Sequence, residues 1–171
     1  LDVIRGLGTP VDANWLVSIA TDEALDPNLR SSAVAALGSA GGKVAIEALE
    51  ELLVDPSEVI RVYAIDGLRE AGAVVPAAKL EPVLRTPMTR KATVALLGRT
   101  GDDDAVTLLV PLLSDPMKGV RAAAARALAE LWTRTADSER ARRLRDVISN
   151  FSETTRARVR ETHAPFGRGA A

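Results

Sequence analysis

Five leucines stand at nearly equal intervals. Leu7, Leu37, Leu68, Leu97 and Leu128 are separated by 30, 31, 29 and 31 residues, and the same pattern returns around each. An arginine precedes four of them by seven residues (Arg30, Arg61, Arg90, Arg121), and a small or β-branched residue precedes all five by four (Val3, Ala33, Ala64, Thr93, Ala124). Gly41, Gly72 and Gly101 follow by four, Leu16, Ile46, Ala77 and Val106 by nine, and Ile19, Leu49, Leu80 and Leu109 by twelve. A fixed period near thirty residues marks one recurring supersecondary unit, too small to bury its own apolar stripe, that gains its core by stacking on its neighbours.

Each unit reads as two helices. The first opens at a turn with Pro in second place: Asp26-Pro27, Asp55-Pro56, Thr86-Pro87, Asp115-Pro116. Proline costs little at a first helical position, and the Asp or Thr before it is expected to accept a backbone N–H as an N-cap. Apolar residues follow at helical spacing, as in Ile60, Ala64, Ile65 and Leu68. Gly41, Gly72 and Gly101 read as helix stops. The second helix carries Ala45, Ile46, Leu49, Leu52 and Leu53, then Pro76, Ala77, Leu80, Val83 and Leu84, then Ala105, Val106, Leu109, Leu112 and Leu113. Pro82 and Pro111 fall inside it at equivalent places, where the missing donor should loosen the helix. Pro27 and Pro87 lie ten residues before their leucines, Pro56 and Pro116 twelve, so alternate units should start their first helices differently.

These features predict an all-α fold: a right-handed α-solenoid of about four helix pairs over residues 1–132, the first pair truncated. With aromatics at 3%, its core must be Leu, Val, Ile and Ala. Beyond it the pattern changes. Trp132 stands where Gly is expected, and Ala141, Leu144, Val147, Ile148 and Phe151 share one helical face, with Arg140, Arg142, Arg143 and Arg145 on others. Residues 133–162 are expected to form a capping helix or helices, and 163–171 a tail.

The run from Asp115 to Arg121, continuing to Ala124 and Leu128, resembles the HEAT-like repeats of the phycobilin-lyase type, as does the run from Asp55 to Arg61 with Ala64 and Leu68. The segment from Leu97 to Asp102 is similar to the turn between the two helices of that repeat. The resemblance implies second helices that line a concave surface, used to hold proteins or, less often, nucleic acid or a tetrapyrrole. It also implies that the recurrent Asp and Arg link adjacent repeats. Asp26, Asp55 and Asp115 match that row with the four arginines, whereas Thr86 departs from it.

Charge and composition narrow the function. The net charge is −1, but residues 1–85 carry 7 basic and 13 acidic groups against 15 and 10 in residues 86–171, an asymmetry able to orient a partner. The absence of cysteine excludes disulfides, thiolate metal sites and a thiol nucleophile. No apolar run is long enough to span a bilayer. Arg outnumbers Lys, which suggests a bacterial source, and the start at Leu1 within a repeat is expected of a piece of a larger protein, in cytoplasm or periplasm.

Candidate chemistry is sparse. His163, the single histidine, stands two residues before Pro165 in the tail without an evident acid–base partner. Asp102-Asp103-Asp104 opens a helix, where carboxylates favour the dipole rather than enclose a cation. Glu47, Glu50 and Glu51 lie off the apolar stripe of a second helix, on a solvated rim. The arginines at 140–145 and Arg156, Arg158 and Arg160 could touch phosphates, but the interleaved aromatics of a nucleic-acid surface are missing. Trp15 and Trp132 are expected to pack in the core, with an exposed anchor as the alternative for either. No catalytic, cofactor-binding or metal residue is assigned.

Positions six, ten and thirteen after each leucine would form one ridge of the concave face: Lys43, Glu47 and Glu50; Ala78 and Glu81; Asp103, Thr107 and Val110. Its acidic bias predicts a protein partner with a basic patch. The expectation is a non-enzymatic binding scaffold. Alternatives are a chromophore-lyase-type subunit, implied by the resemblance alone, a nucleic-acid-binding module, or a spacer.

Overall fold

A computed structural model describes residues 12–100 and 103–134, with single helical positions at Arg142, Asp146 and Ser149. The described residues form eight α-helices and no strand. They are α1 (Ala13–Thr21), α2 (Pro27–Ala40), α3 (Gly42–Glu51), α4 (Glu58–Glu70), α5 (Ala77–Leu84), α6 (Pro87–Thr100), α7 (Asp103–Leu109) and α8 (Lys118–Arg134). Helices α2, α4, α6 and α8 are the first helices of successive repeats and pack in one row. The second helices α1, α3, α5 and α7 form the other, so the chain is a two-layered α-solenoid.

The leucines that set the period seal the space between the rows. Leu37, Leu68 and Leu97 are fully buried and Leu128 nearly so; Leu7 lies outside the described residues. Leu16, Ala20, Ala45, Leu49, Ala77, Leu80, Ala105 and Leu109 close the core from the second helices. At ~1.5–3 kcal/mol for each fully buried large aliphatic side chain, this shared core holds the stack together.

All four first helices start ten residues before their leucine, so the alternation in proline spacing reappears not in where they start but in how the start is capped. Pro27 is the first residue of α2, and Asp26 caps it, accepting from the N–H groups of Asn28 and Leu29 at 2.9 and 3.3 Å. Asp55 and Asp115 are not the N-caps expected of them. With their prolines two residues further from the leucine, α4 and α8 start at Glu58 and Lys118, and each Asp accepts instead from the N–H two residues on, Ser57 and Met117, at 2.8 Å.

The true repeat is therefore the double unit. Gly38 in α2 meets Gly67 in α4 so closely that a Cβ on Gly38 would stand 2.5 Å from the Gly67 Cα. One double unit later, Gly98 in α6 meets Ala127 in α8, where a Cβ would stand 2.9 Å from the Ala127 Cβ. The α2–α4 and α6–α8 crossings are correspondingly extensive, and α4–α6 between them less so.

The turns differ too. Gly41, at φ 62°, joins α2 to α3 directly, while α4 ends in a Schellman motif: Gly72, at φ 67°, donates to the Arg69 carbonyl and Ala73 to that of Leu68. Gly101 lies outside the described residues. The second helices are short. Helix α3 tightens into a 3₁₀ turn at Leu52–Val54, and α7 does so at Val110–Ser114, where Pro111 stands near its start. Pro82 lies inside α5, whose end is closed by i→i+3 bonds from Arg85 and Thr86.

One expectation changes. Trp15 is 47% exposed, because α1 buries Leu16 and Ala20, one helical turn apart, and turns Trp15 off that face. Without a Gly at 132, α8 runs on through Trp132 to Arg134. The apolar face proposed for the cap and the tail with His163 lie outside the described residues; Arg142, Asp146 and Ser149 are helical and exposed.

Candidate functional site: the charged face of the second helices

Two sets of charged groups are organised by the repeat. The first stitches repeats together. Arg30 donates from Nε to the Ala20 carbonyl at the end of α1 (3.0 Å) and from Nη2 to Asp55 Oδ2 of the next repeat (2.5 Å), so one guanidinium ties three segments. Arg90 repeats this, with Nε on the Leu84 carbonyl (2.8 Å) and Nη1 on Asp115 Oδ2 (3.1 Å). Asp55, Asp115 and Arg30 are buried; the Arg90 side chain is 22% exposed. The resemblance implied this link, and its break falls at Thr86. Arg61, lacking an Asp there, turns back to the carbonyls of Asp55 (2.6 Å) and Pro56 (3.0 Å). Arg121 makes the same return to Asp115 and Pro116.

The second set is the ridge expected to meet a partner. Lys43 and Glu47 are exposed on α3 and pair one turn apart at 3.7 Å. Glu50, largely shielded, accepts from Lys79 Nζ of α5 at 2.5 Å, a bond between neighbouring second helices. The Lys79 pKa is raised from its usual 10.5, first by the hydrogen bond it donates to Glu50 and by the charge of that carboxylate, then by the charges of Glu51 and Glu47. Glu81 is exposed and pairs with Arg85 at 3.6 Å. Thr107 is exposed on α7, as Ala78 is on α5. Asp103 is the first residue of α7, and its side chain lies outside the described residues. Val110 does not belong to the ridge: it is the first residue of the 3₁₀ turn and is buried in the core at 4% exposure.

The face thus presents interleaved charge, with four glutamates (Glu47, Glu50, Glu51, Glu81) against three cations (Lys43, Lys79, Arg85), and Asp104 exposed beyond them. Lys79, the residue on which the acids converge, and Arg85 escaped the sequence reading because neither recurs with the period. Among the described residues no group of three or more His, Cys, Asp and Glu could hold a metal ion, and no helix is long and apolar enough to cross a membrane.

The two rows of paired helices, tied by recurrent Arg–Asp links, define a helical repeat module of the α-solenoid class. More narrowly, residues 77–162 match the HEAT repeats family and residues 29–55 the PBS lyase HEAT-like repeat; the chain belongs to the HEAT-repeat family. Among solved structures it is similar to human deoxyhypusine hydroxylase in complex with glycerol, at 27% identity and a TM-score of 0.59, over 70% of this chain and 43% of that one. It therefore spans less than half of the hydroxylase. It is also similar in fold to an engineered protein, at 18% identity and a TM-score of 0.50, over 82% of this chain and 79% of that one. No curated protein matches the chain. HEAT repeats commonly mediate protein interactions.

Proposed function

We propose that the chain is a non-enzymatic protein-binding scaffold, a repeat module of a larger bacterial protein that takes its partner on the second-helix face. The observation that carries this reading is the gathering of Glu47, Glu50 and Glu51 from one repeat around Lys79 of the next. A continuous charged surface crosses the repeat boundary on a stack already fixed from behind by Arg30–Asp55 and Arg90–Asp115. Its slight acidic excess suits a partner with a basic patch, and such complementarity selects orientation and on-rate more than affinity. The likeness to a hydroxylase shows that an enzyme can be built on such repeats, but this chain spans too little of that protein to inherit its reaction.

Photo-cross-linkers at Ala78 and Thr107, with one at Tyr63 on a first helix as control, test the face in the full-length protein. Cross-linking from Ala78 and Thr107, lost in Glu47→Lys/Glu50→Lys/Glu81→Lys, is the expected result. Cross-linking kept at Ala78 and Thr107 in that triple variant, or obtained from Tyr63 alone, overturns the reading. The match of residues 29–55 to the PBS lyase HEAT-like repeat supports a second reading, a chromophore-lyase subunit. A new visible absorbance band after incubation with a tetrapyrrole would favour it.

A further inference from the structure

On the first-helix face, three successive repeats each bring one arginine to the same shallow cavity of about 150 Å³. Arg69 comes from the last turn of α4, Arg99 from the last turn of α6 and Arg126 from the middle of α8. The cavity exists because Ala95, Ala123 and Ala127 lie beneath it and end at Cβ. Ala127 can hardly be larger, since it packs against Gly98.

Two of these arginines have structural duties. Arg69 pairs with Asp66 at 3.1 Å, and Arg99 Nη1 donates to the Arg69 carbonyl at 3.2 Å. Both also sit where a cation complements a helix C-terminus. A guanidinium has five N–H donors, so one such bond leaves others for a ligand. Arg126 differs. It is exposed, sits mid-helix where there is no terminus to offset, and makes no ion pair or hydrogen bond among the described residues.

We propose that this notch docks a carboxylate side chain of a protein partner, on the face opposite the second-helix ridge and independently of it. Size and charge both select that ligand. The cavity has room for one small oxyanion. Three arginines outnumber the two carboxylates nearby, Asp66 and Glu130, so the notch favours an anion. The alanine floor meets the methylene of a Glu or Asp, and the planar guanidiniums suit carboxylate geometry.

The test is titration of the full chain with a capped tetraglutamate peptide, read on the Arg Nε–Hε resonances at constant ionic strength. Capped tetraglutamine and inorganic phosphate serve as comparisons. A saturable shift at Arg126 in the millimolar range is expected, absent with tetraglutamine and weaker with phosphate. Arg126→Gln should weaken binding about fivefold, equivalent to ~1 kcal/mol, and Lys118→Gln should leave it unchanged. Because Arg126 is exposed, its replacement keeps the fold, and the variant's helical circular dichroism checks this. Equal binding by the Arg126 and Lys118 variants, a shift reproduced by chloride, or tighter binding of phosphate would each overturn the proposal.

Discussion

Replacing Arg30 by Met keeps the aliphatic stem but removes the guanidinium that joins α1 to the turn before α4. The Asp55 carboxylate is then left 8% exposed, with one hydrogen bond from the Ser57 N–H, and the Ala20 carbonyl loses its donor. Breaking a buried ion pair by removing one partner costs ~3–5 kcal/mol, most of it the penalty on the stranded charge. The same change at Arg90 strands Asp115, but the side chain removed is 22% exposed against 6% for Arg30. Water reaches that site more readily, so ~1.5–3 kcal/mol is expected there, as for a charged hydrogen bond. Urea unfolding followed by circular dichroism should rank Arg30→Met below Arg90→Met, and both below the parent. At ~2–4 °C per kcal/mol for a chain of this size, the melting temperature should fall by roughly 6–20 °C and 3–12 °C. Combining Arg30→Met with Asp55→Asn should cost less than the two single losses added, because the charge that was stranded is gone. A loss under ~1 kcal/mol for Arg30→Met, or a greater loss for Arg90→Met, would refute the claim that burial of this link sets its weight.

Two further changes probe the double repeat. Gly38→Ala should destabilise by ~1–3 kcal/mol despite alanine's better helix propensity, because the new Cβ meets the Gly67 backbone at 2.5 Å and neither helix can yield alone. Gly119→Ala, 3.7 Å from the flexible Lys91 side chain, should be neutral or stabilising in the same urea assay; a reversed order would be inconsistent with this packing. Thr86→Asp places a carboxylate 25 residues after Arg61, the separation found in both existing links, and should add ~0.5–1 kcal/mol by supplying the missing partner. The gain should vanish in Thr86→Asp/Arg61→Gln; its persistence would mean that the new Asp acts only as a helix cap.

What the sequence revealed and what it concealed follow one physical rule. A residue that recurs at every repeat answers to a contact that recurs, which is why the leucines, Gly41, Gly72 and the Arg–Asp row were legible and why the fault at Thr86 could be located. The N-cap expectation failed at Asp55 and Asp115 because two added residues alter the path of the backbone without altering residue type. Val110 failed because position thirteen is not uniformly exposed: Glu50 there is largely shielded and Glu81 open, so a register counted on helical spacing does not fix its burial. Residues that break the period behave in the opposite way. Position eleven after the leucine is Ala48, Lys79 and Leu108, and position two before it is Ala35, Asp66, Ala95 and Arg126. No contact common to the repeats requires Lys79 or Arg126, so neither stands out in a search for recurrence. Yet Lys79 gathers the glutamates of the second-helix face, and Arg126 completes the cavity on the other. In a stack where recurring surfaces must meet recurring neighbours, individuality falls on the exposed faces, and those are the places a partner can reach.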